Sequence, residues 1–185
     1  MLKQLARLSE RTRRKPSPPL EQRRIAGVDC STPVFFVLGT ALVTVSRFHW
    51  ERAFWRDGYE LIAGVDEVGR GALAGPLVAA AVIFDRSTIE RRSKREQVER
   101  QVRDSKLMTR DSRERSLAII EACAAAIGVG IVECSELDEV GMTAANRLAM
   151  ERAVLALDSE PDVLLLDAFV TDLEMPQVGL IDGDT

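Results

Sequence analysis

Residues 61–84 read LIAGVDEVGRGALAGPLVAAAVIF. Two apolar runs stand in this stretch, Leu61–Val65 and Leu77–Phe84, and both have the length and composition of β-strands. Gly69, Gly71, Gly75 and Pro76 lie between them and mark a loop. The first run ends on two carboxylates, Asp66 and Glu67. Strand, paired acids, glycine-rich loop and second strand therefore follow one another without interruption.

Downstream, helical and strand patterns alternate. Arg91–Arg103 is charged and free of Gly and Pro, which predicts an exposed helix. Asp111 with Glu114 three residues on has the spacing of an N-terminal capping arrangement. The helix it opens places Leu117, Ile120, Ala124 and Ile127 on one face and stops at Gly128, with Val129–Val132 as the next strand. Thr143 caps a further helix, whose Met150, Val154 and Leu157 share a stripe before Pro161. Val163–Leu166 and Val178–Ile181 are two more short apolar runs. Strands alternating with helices predict an α/β fold whose sheet contains parallel pairs.

Composition narrows the function classes. A chain of 185 residues, 46% of them hydrophobic, has enough apolar surface for one ordinary core and is neither disordered nor fibrous. His49 is the only histidine, and Cys30, Cys123 and Cys134 form no C-x-x-C pair. A Cys/His zinc site and a histidine-based triad are thereby set aside. Three scattered cysteines fit reduced thiols, hence a cytoplasmic location. The net charge of −4 hides a segregation: residues 86–115 carry 11 Lys/Arg against 6 Asp/Glu, and residues 133–185 carry 2 against 13. Such separation allows phosphate contacts at one end and cation binding at the other, although solvated helix faces give the same pattern.

Toward the N-terminus, residues 1–32 are Arg-rich with prolines between Pro16 and Pro19, and read as a flexible tail. Pro33–Ser46 is mostly apolar, but its 14 residues fall short of the ~20 that span a bilayer. A nonessential extension or a strand-like appendage is expected there, and no membrane role. The pentamer IAGVD occurs at Ile25–Asp29 and again at Ile62–Asp66, with nothing around it repeated, so no repeat fold follows.

Three of the strand-like runs end in carboxylates: Asp66 and Glu67, then Asp167, then Asp182 and Asp184. In an open α/β sheet, groups beyond the carboxyl ends of neighbouring parallel strands meet in one crevice. Carboxylates brought together there repel one another unless cations lie between them. Oxygen donors without His or Cys select hard ions, Mg²⁺ or Mn²⁺, and two such ions suit phosphoryl displacement. Any one of these acids taken singly is also an ordinary turn former. Gly69–Ala74 formally fits a G-x-G-x-x-A dinucleotide fingerprint, but a strand follows where a helix should open. Two readings stay open for this loop: a backbone that approaches a ligand closely, with Arg70 between side-chain-free positions, and a plain tight turn.

Tyr59–Asp85, with its D-E-x-G-R-G core, resembles the signature segment of the ribonuclease HII family. The resemblance continues through Asp104-Ser105-Lys106, Ala145–Ala153 (ANRLAMERA), Val163–Phe169 (VLLLDAF) and Ile181–Asp184 (IDGD), and covers roughly residues 50–185. It implies an RNase H-like fold, a mixed central sheet flanked by helices, over 50–185, with 1–49 as an extension of unassigned role. It also implies an endonuclease that cuts the RNA strand of RNA–DNA hybrids, or 5′ of ribonucleotides embedded in duplex DNA, leaving 3′-hydroxyl and 5′-phosphate ends. The metal-binding carboxylates so implied are Asp66, Glu67, Asp167 and Asp184, holding two Mn²⁺ or Mg²⁺ ions. Asp184 is preferred to Asp182 by its place in the motif. Gly69, Arg70 and Gly71 match the motif that senses the 2′-hydroxyl, the group that distinguishes RNA from DNA. Lys106 is either a phosphate contact or the partner of an acidic neighbour. The implied enzyme works as a monomer.

The chain departs from the family pattern in three places. Ala168-Phe169 stands where many relatives have glycine and a polar residue, and Asp182 stands where a lysine is common. Family members continue beyond the last aspartate with further helices, so the C-terminal helical part is expected to be missing and the chain to be weakly stable and weakly active. The competing reading is a catalytically silent nucleic-acid-binding fragment of such an enzyme.

Overall fold

Side-chain alternation along one central strand divides the molecule into two layers. The computed structural model describes residues 24–25, 28–29, 34–38, 48–167 and 169–181. Asp182, Asp184 and most of the 1–32 segment lie outside the described residues. In chain order the elements are β1 (Arg24–Ile25), β2 (Val28–Asp29), β3 (Val34–Leu38), α1 (His49–Arg56), β4 (Ile62–Val68) and β5 (Leu77–Phe84). There follow α2 (Arg86–Glu90), α3 (Arg92–Gln101), a 3₁₀ turn (Ser105–Leu107), α4 (Arg110–Cys123) and β6 (Ala124–Val132). The chain continues through α5 (Cys134–Val140), α6 (Met142–Leu155), β7 (Val163–Asp167) and β8 (Gln177–Ile181).

Six strands form one mixed sheet in the order β3-β8-β7-β4-β5-β6. β4, β5 and β6 run antiparallel as a meander, while β4–β7, β7–β8 and β8–β3 are parallel. This is the α/β sheet with parallel pairs that the alternating pattern predicts. Asp162 fixes the central parallel register. Its carboxylate accepts the Glu60 and Leu61 amides, each at 2.9 Å, while its own amide donates to the Leu61 carbonyl at 2.7 Å.

Ala63 and Val65 of β4 face one layer, with Leu77, Ala79, Ala81 and Ile83 of β5 and Leu164 and Leu166 of β7. α6 covers that layer with Ala145, Ala149, Met150, Ala153 and Val154. Ile62, Val163, Leu165 and Val178 face the opposite layer, under Phe54 and Trp55 of α1, Ile89 of α2, Val98 of α3 and Cys123 of α4. The second layer stops short of the meander's outer edge, where Ile127, Val129 and Ile131 of β6 are partly open to solvent.

Several boundaries differ from those expected. The helix after residue 109 ends at Cys123, and β6 starts at Ala124, so Ile127 and Gly128 belong to a strand. Gly128 is no helix stop: a Cβ there would stand 2.1 Å from the Ala153 carbonyl, and one at Gly130 would stand 2.0 Å from that of Ala149. The glycines let α6 lie directly on the strand backbone. The cap of α4 is Thr109, whose hydroxyl accepts the Ser112 amide at 3.3 Å; Asp111 lies in the first turn, where its charge suits the helix dipole. Gly141, rather than Thr143, occupies the N-cap of α6. β4 continues through Asp66 and Glu67 to Val68, so the acids sit within the strand and not beyond it.

The two IAGVD copies take different forms. In the first, Ile25 and Val28 pair with each other across a two-residue ladder; in the second, the whole pentamer is the middle of the sheet. β3, from the apolar 33–46 segment, lies parallel to β8 as an edge strand. No helix among the described residues is long and apolar enough to cross a membrane.

Candidate active site

Register brings the first two acids together. Residues 62–65 of β4 pair in order with 163–166 of β7, and Asp66 and Asp167 follow directly on the last pair of that ladder. Neighbouring strands are about 4.8 Å apart and laterally paired residues point to the same face. Both aspartates line one crevice of about 350 Å³, together with Trp50, Glu51, Gly64, Val65, Ala80, Val82, Leu165, Leu166 and Leu180. Its floor is apolar sheet and its polar groups are carboxylates. The Asp66 Oδ1 accepts the Glu67 backbone amide at 2.7 Å.

Glu67, one residue on, points to the opposite face. Its side chain is nearly buried, at 11% exposure, and Oε1 accepts from Arg70 Nη1 at 3.3 Å. The guanidinium of Arg70 also lies over the Phe169 ring, 4.9 Å from its centroid. Phe169 thus gives the loop a cation–π support at the position where the sequence departs from the family pattern. Between them, Glu67 and Phe169 hold Arg70 across the end of the sheet.

The glycines of the loop separate into two kinds. Gly69 has φ +113°, and a Cβ there would lie 2.9 Å from the Pro76 carbonyl, so the turn itself demands glycine. Gly71 has nothing within 4 Å of a built Cβ and no positive φ. The fold gives no reason for glycine at 71, and the space beside it is open to a ligand. The tight-turn reading holds at Gly69, while the space beside Gly71 leaves room for the other.

Lys106 lies on the exposed 3₁₀ turn. Asp104 Oδ1 accepts its backbone amide at 2.9 Å, so the acidic neighbour fastens the turn through the main chain and not through the ammonium group. Arg113 holds the same turn from α4, donating to the Met108 carbonyl at 2.8 Å. Asp184 lies outside the described residues.

Glu51 was not among the expected site residues. It sits in the first turn of α1, and burial pushes its carboxyl up to about 7 from an ordinary 4.5. Its Oε2 has neither solvent access nor a hydrogen-bond partner. Nothing in HWERAFWR separates this glutamate from an ordinary surface charge, because its burial depends on where α1 docks.

Hard oxygen donors and the absence of His or Cys suit a divalent cation. Among the described residues no three acidic, His or Cys side chains close around one point. The arrangement therefore fits an ion of the Mg²⁺ type, which takes one or two protein carboxylates and completes its shell with water and substrate phosphate.

The family model for Ribonuclease HII matches residues 63–179, a span that holds Asp66, Glu67, the Gly69–Gly71 loop, Lys106 and Asp167. A Ribonuclease HII of Leuconostoc mesenteroides is 46% identical over 142 residues, 76% of this chain and 52% of that protein. One from Dehalococcoides mccartyi is 44% identical over 135 residues, 72% of this chain and 61% of that protein. The chain thus spans only half to three-fifths of the length of these relatives. Among solved structures, the ribonuclease H2 of Pyrococcus horikoshii superimposes with a TM-score of 0.56 at 27% identity, over 67% of this chain and 64% of that one. The sheet and its flanking helices are of the RNase H-like kind.

Proposed function

The chain belongs to the ribonuclease HII family, and from that premise we propose that it carries the hydrolytic centre of an endonuclease acting on RNA joined to or paired with DNA. The observation that supports this most directly is the crevice that Asp66 and Asp167 line together, with the Gly69-Arg70-Gly71 loop following directly on β4 and open space beside Gly71. Asp66 and Asp167 would hold the divalent ions, Mn²⁺ or Mg²⁺; the motif assigns Asp184 and Glu67 to the same acidic set, Glu67 standing on the opposite face of β4 and bonded to Arg70. When bound, the ions polarise the scissile phosphodiester and lower the pKa of water at the site.

The chain's own residues set what is cut. The open backbone at Gly71 admits close approach of a ribose, where a 2′-hydroxyl finds main-chain partners that a deoxyribose lacks. Arg70, held by Glu67 and Phe169, presents its guanidinium to the adjoining phosphate. Lys106 offers a second cation from a turn already braced by Asp104 and Arg113. Cleavage 5′ of the ribonucleotide is what membership of the family implies for such a site. In this reading residues 50–185 form the catalytic domain and 1–49 an extension that lends β3 to the sheet. Cys123 and Cys134, both free thiols, fit a reducing cytoplasm.

The test is cleavage of a duplex DNA holding one ribonucleotide, with Mn²⁺ or Mg²⁺, beside an all-DNA duplex. Incision 5′ of the ribonucleotide, abolished by Asp66→Asn and absent on DNA, is the expected result. Equal cutting of both duplexes, or undiminished cutting by the variant, would refute the reading.

A further inference from the structure

The acidic crevice has a wall formed by α1, and that wall carries an unexplained carboxyl group. Phe54 and Trp55 anchor the helix on Ile62, Val163, Leu165 and Val178, which fixes its first turn over the upper part of the sheet. Trp50 and Glu51 thereby line the same crevice as Asp66 and Asp167. Arg52 and Arg56, the basic residues of the helix, are exposed on its other side. Oε2 of Glu51 has no solvent and no donor, and the only backbone group that eases the carboxyl is the residue's own amide.

Burying a carboxyl group with an unmet oxygen costs stability, by an amount that apolar residues of the same size would not incur. A packing role does not account for it, since the apolar neighbours on either side already anchor the helix. The crevice it faces collects negative charge, so the missing partner is cationic or is a donor brought by a cation. Glu51, Asp66 and Asp167 do not converge closely enough to enclose one ion directly. The remaining arrangement is an ion held by the two aspartates whose water shell reaches the third carboxyl group.

We propose that Glu51 is an outer member of the cation site, accepting hydrogen bonds from the water shell of a divalent ion held by Asp66 and Asp167. This rests on the functional reading given above and extends it to a residue on a different element. Outer-shell acceptors of this kind orient and tighten a bound ion, and their loss typically lowers affinity about 10–100-fold.

The experiment is calorimetric titration of the full chain, stripped with chelator, with MnCl₂, for the unaltered protein, Glu51→Gln and Asp66→Asn, with melting temperatures measured with and without Mn²⁺. Glu51→Gln is expected to weaken Mn²⁺ binding at least about 10-fold. Without metal it should melt no lower than the unaltered chain, because the amide relieves a buried acid. The two readouts thus move independently, which a merely structural residue would not produce. Unchanged Mn²⁺ affinity in Glu51→Gln, with Asp66→Asn weakened, would overturn the proposal and leave the functional reading standing. A metal-free Glu51→Gln chain that melts well below the unaltered one would overturn it too, by assigning Glu51 to packing. No Mn²⁺ binding by the unaltered chain would sink both.

Discussion

Replacing Gly130 with alanine tests whether α6 lies directly on the β6 backbone. The added methyl carbon would stand 2.0 Å from the Ala149 carbonyl, 2.5 Å from the Ala153 amide nitrogen and 2.8 Å from Cβ of Arg152. Ordinary contact starts at 3.4 Å, so the helix must withdraw by about 1.4 Å or the strand must bow by as much. Two of the three obstacles are helix backbone, which does not yield by changing a rotamer. Overpacking of this kind costs about 1–3 kcal/mol, and backbone obstruction places Gly130→Ala at the upper end. For a chain of this size each kcal/mol lowers the melting temperature by about 2–4 °C, so a fall of roughly 6–10 °C is expected. Urea unfolding monitored by circular dichroism supplies the free energy directly. Gly128→Ala, 2.1 Å from the Ala153 carbonyl, should cost a similar amount. Because one withdrawal of the helix relieves both clashes, the double variant should lose clearly less than the sum. A loss below about 1 kcal/mol for Gly130→Ala, or strict additivity of the pair, would refute the close contact.

Gly71→Ala should do the reverse: with open space around it, stability should stay level or rise by about 0.4–1 kcal/mol, while incision at a ribonucleotide falls sharply. Phe169→Ala removes the ring under Arg70 and should reduce cleavage efficiency about 2–5-fold, the equivalent of a cation–π contact of about 0.5–1 kcal/mol, with the melting temperature shifting by only a few degrees. In metal-free protein, Glu51 keeps its proton up to about pH 7 when folded but only to about 4.5 when unfolded. The folded chain therefore binds more protons across that window, and stability should decline by about 3 kcal/mol as pH rises from 4.5 to 7. Denaturant titrations at several pH values should show this slope in the unaltered chain and its loss in Glu51→Gln.

Much of this was legible in the sequence wherever one strand's own pattern carries the information. Leu77–Phe84 is a strand with the bounds its apolar run gives, and the two short runs after Pro161 became β7 and β8. That Asp66 and Asp167 line one crevice follows once those strands are neighbours in a parallel sheet. Sequence reading failed where partners are distant. Gly128 looks like a helix stop until α6 is laid across it, and Glu51 looks like a surface charge until α1 docks against the crevice. That Glu67 faces away from Asp66 and accepts from Arg70 is likewise not visible in the two adjacent letters. The first IAGVD copy makes the same point, because there an identical pentamer forms a short local ladder, Ile25 with Val28 and Asp29 with Arg24.

The junction of β4 with β7 has a consequence for how the site comes into being. The meander β4–β5–β6 closes between near neighbours in sequence, but Asp66 and Asp167 meet only when chain segments 101 residues apart come into register, as the Asp162–Leu61 link records. Long-range parallel pairing forms slowly, because the intervening chain must be ordered before the contact repays it. The two acids to which the proposed reading gives one cation are thus kept apart until β4 and β7 pair. A nascent or partly unfolded chain would carry both aspartates and yet hold no ion between them. On the proposed reading, cation binding at this site would report that the β4–β7 pairing has formed.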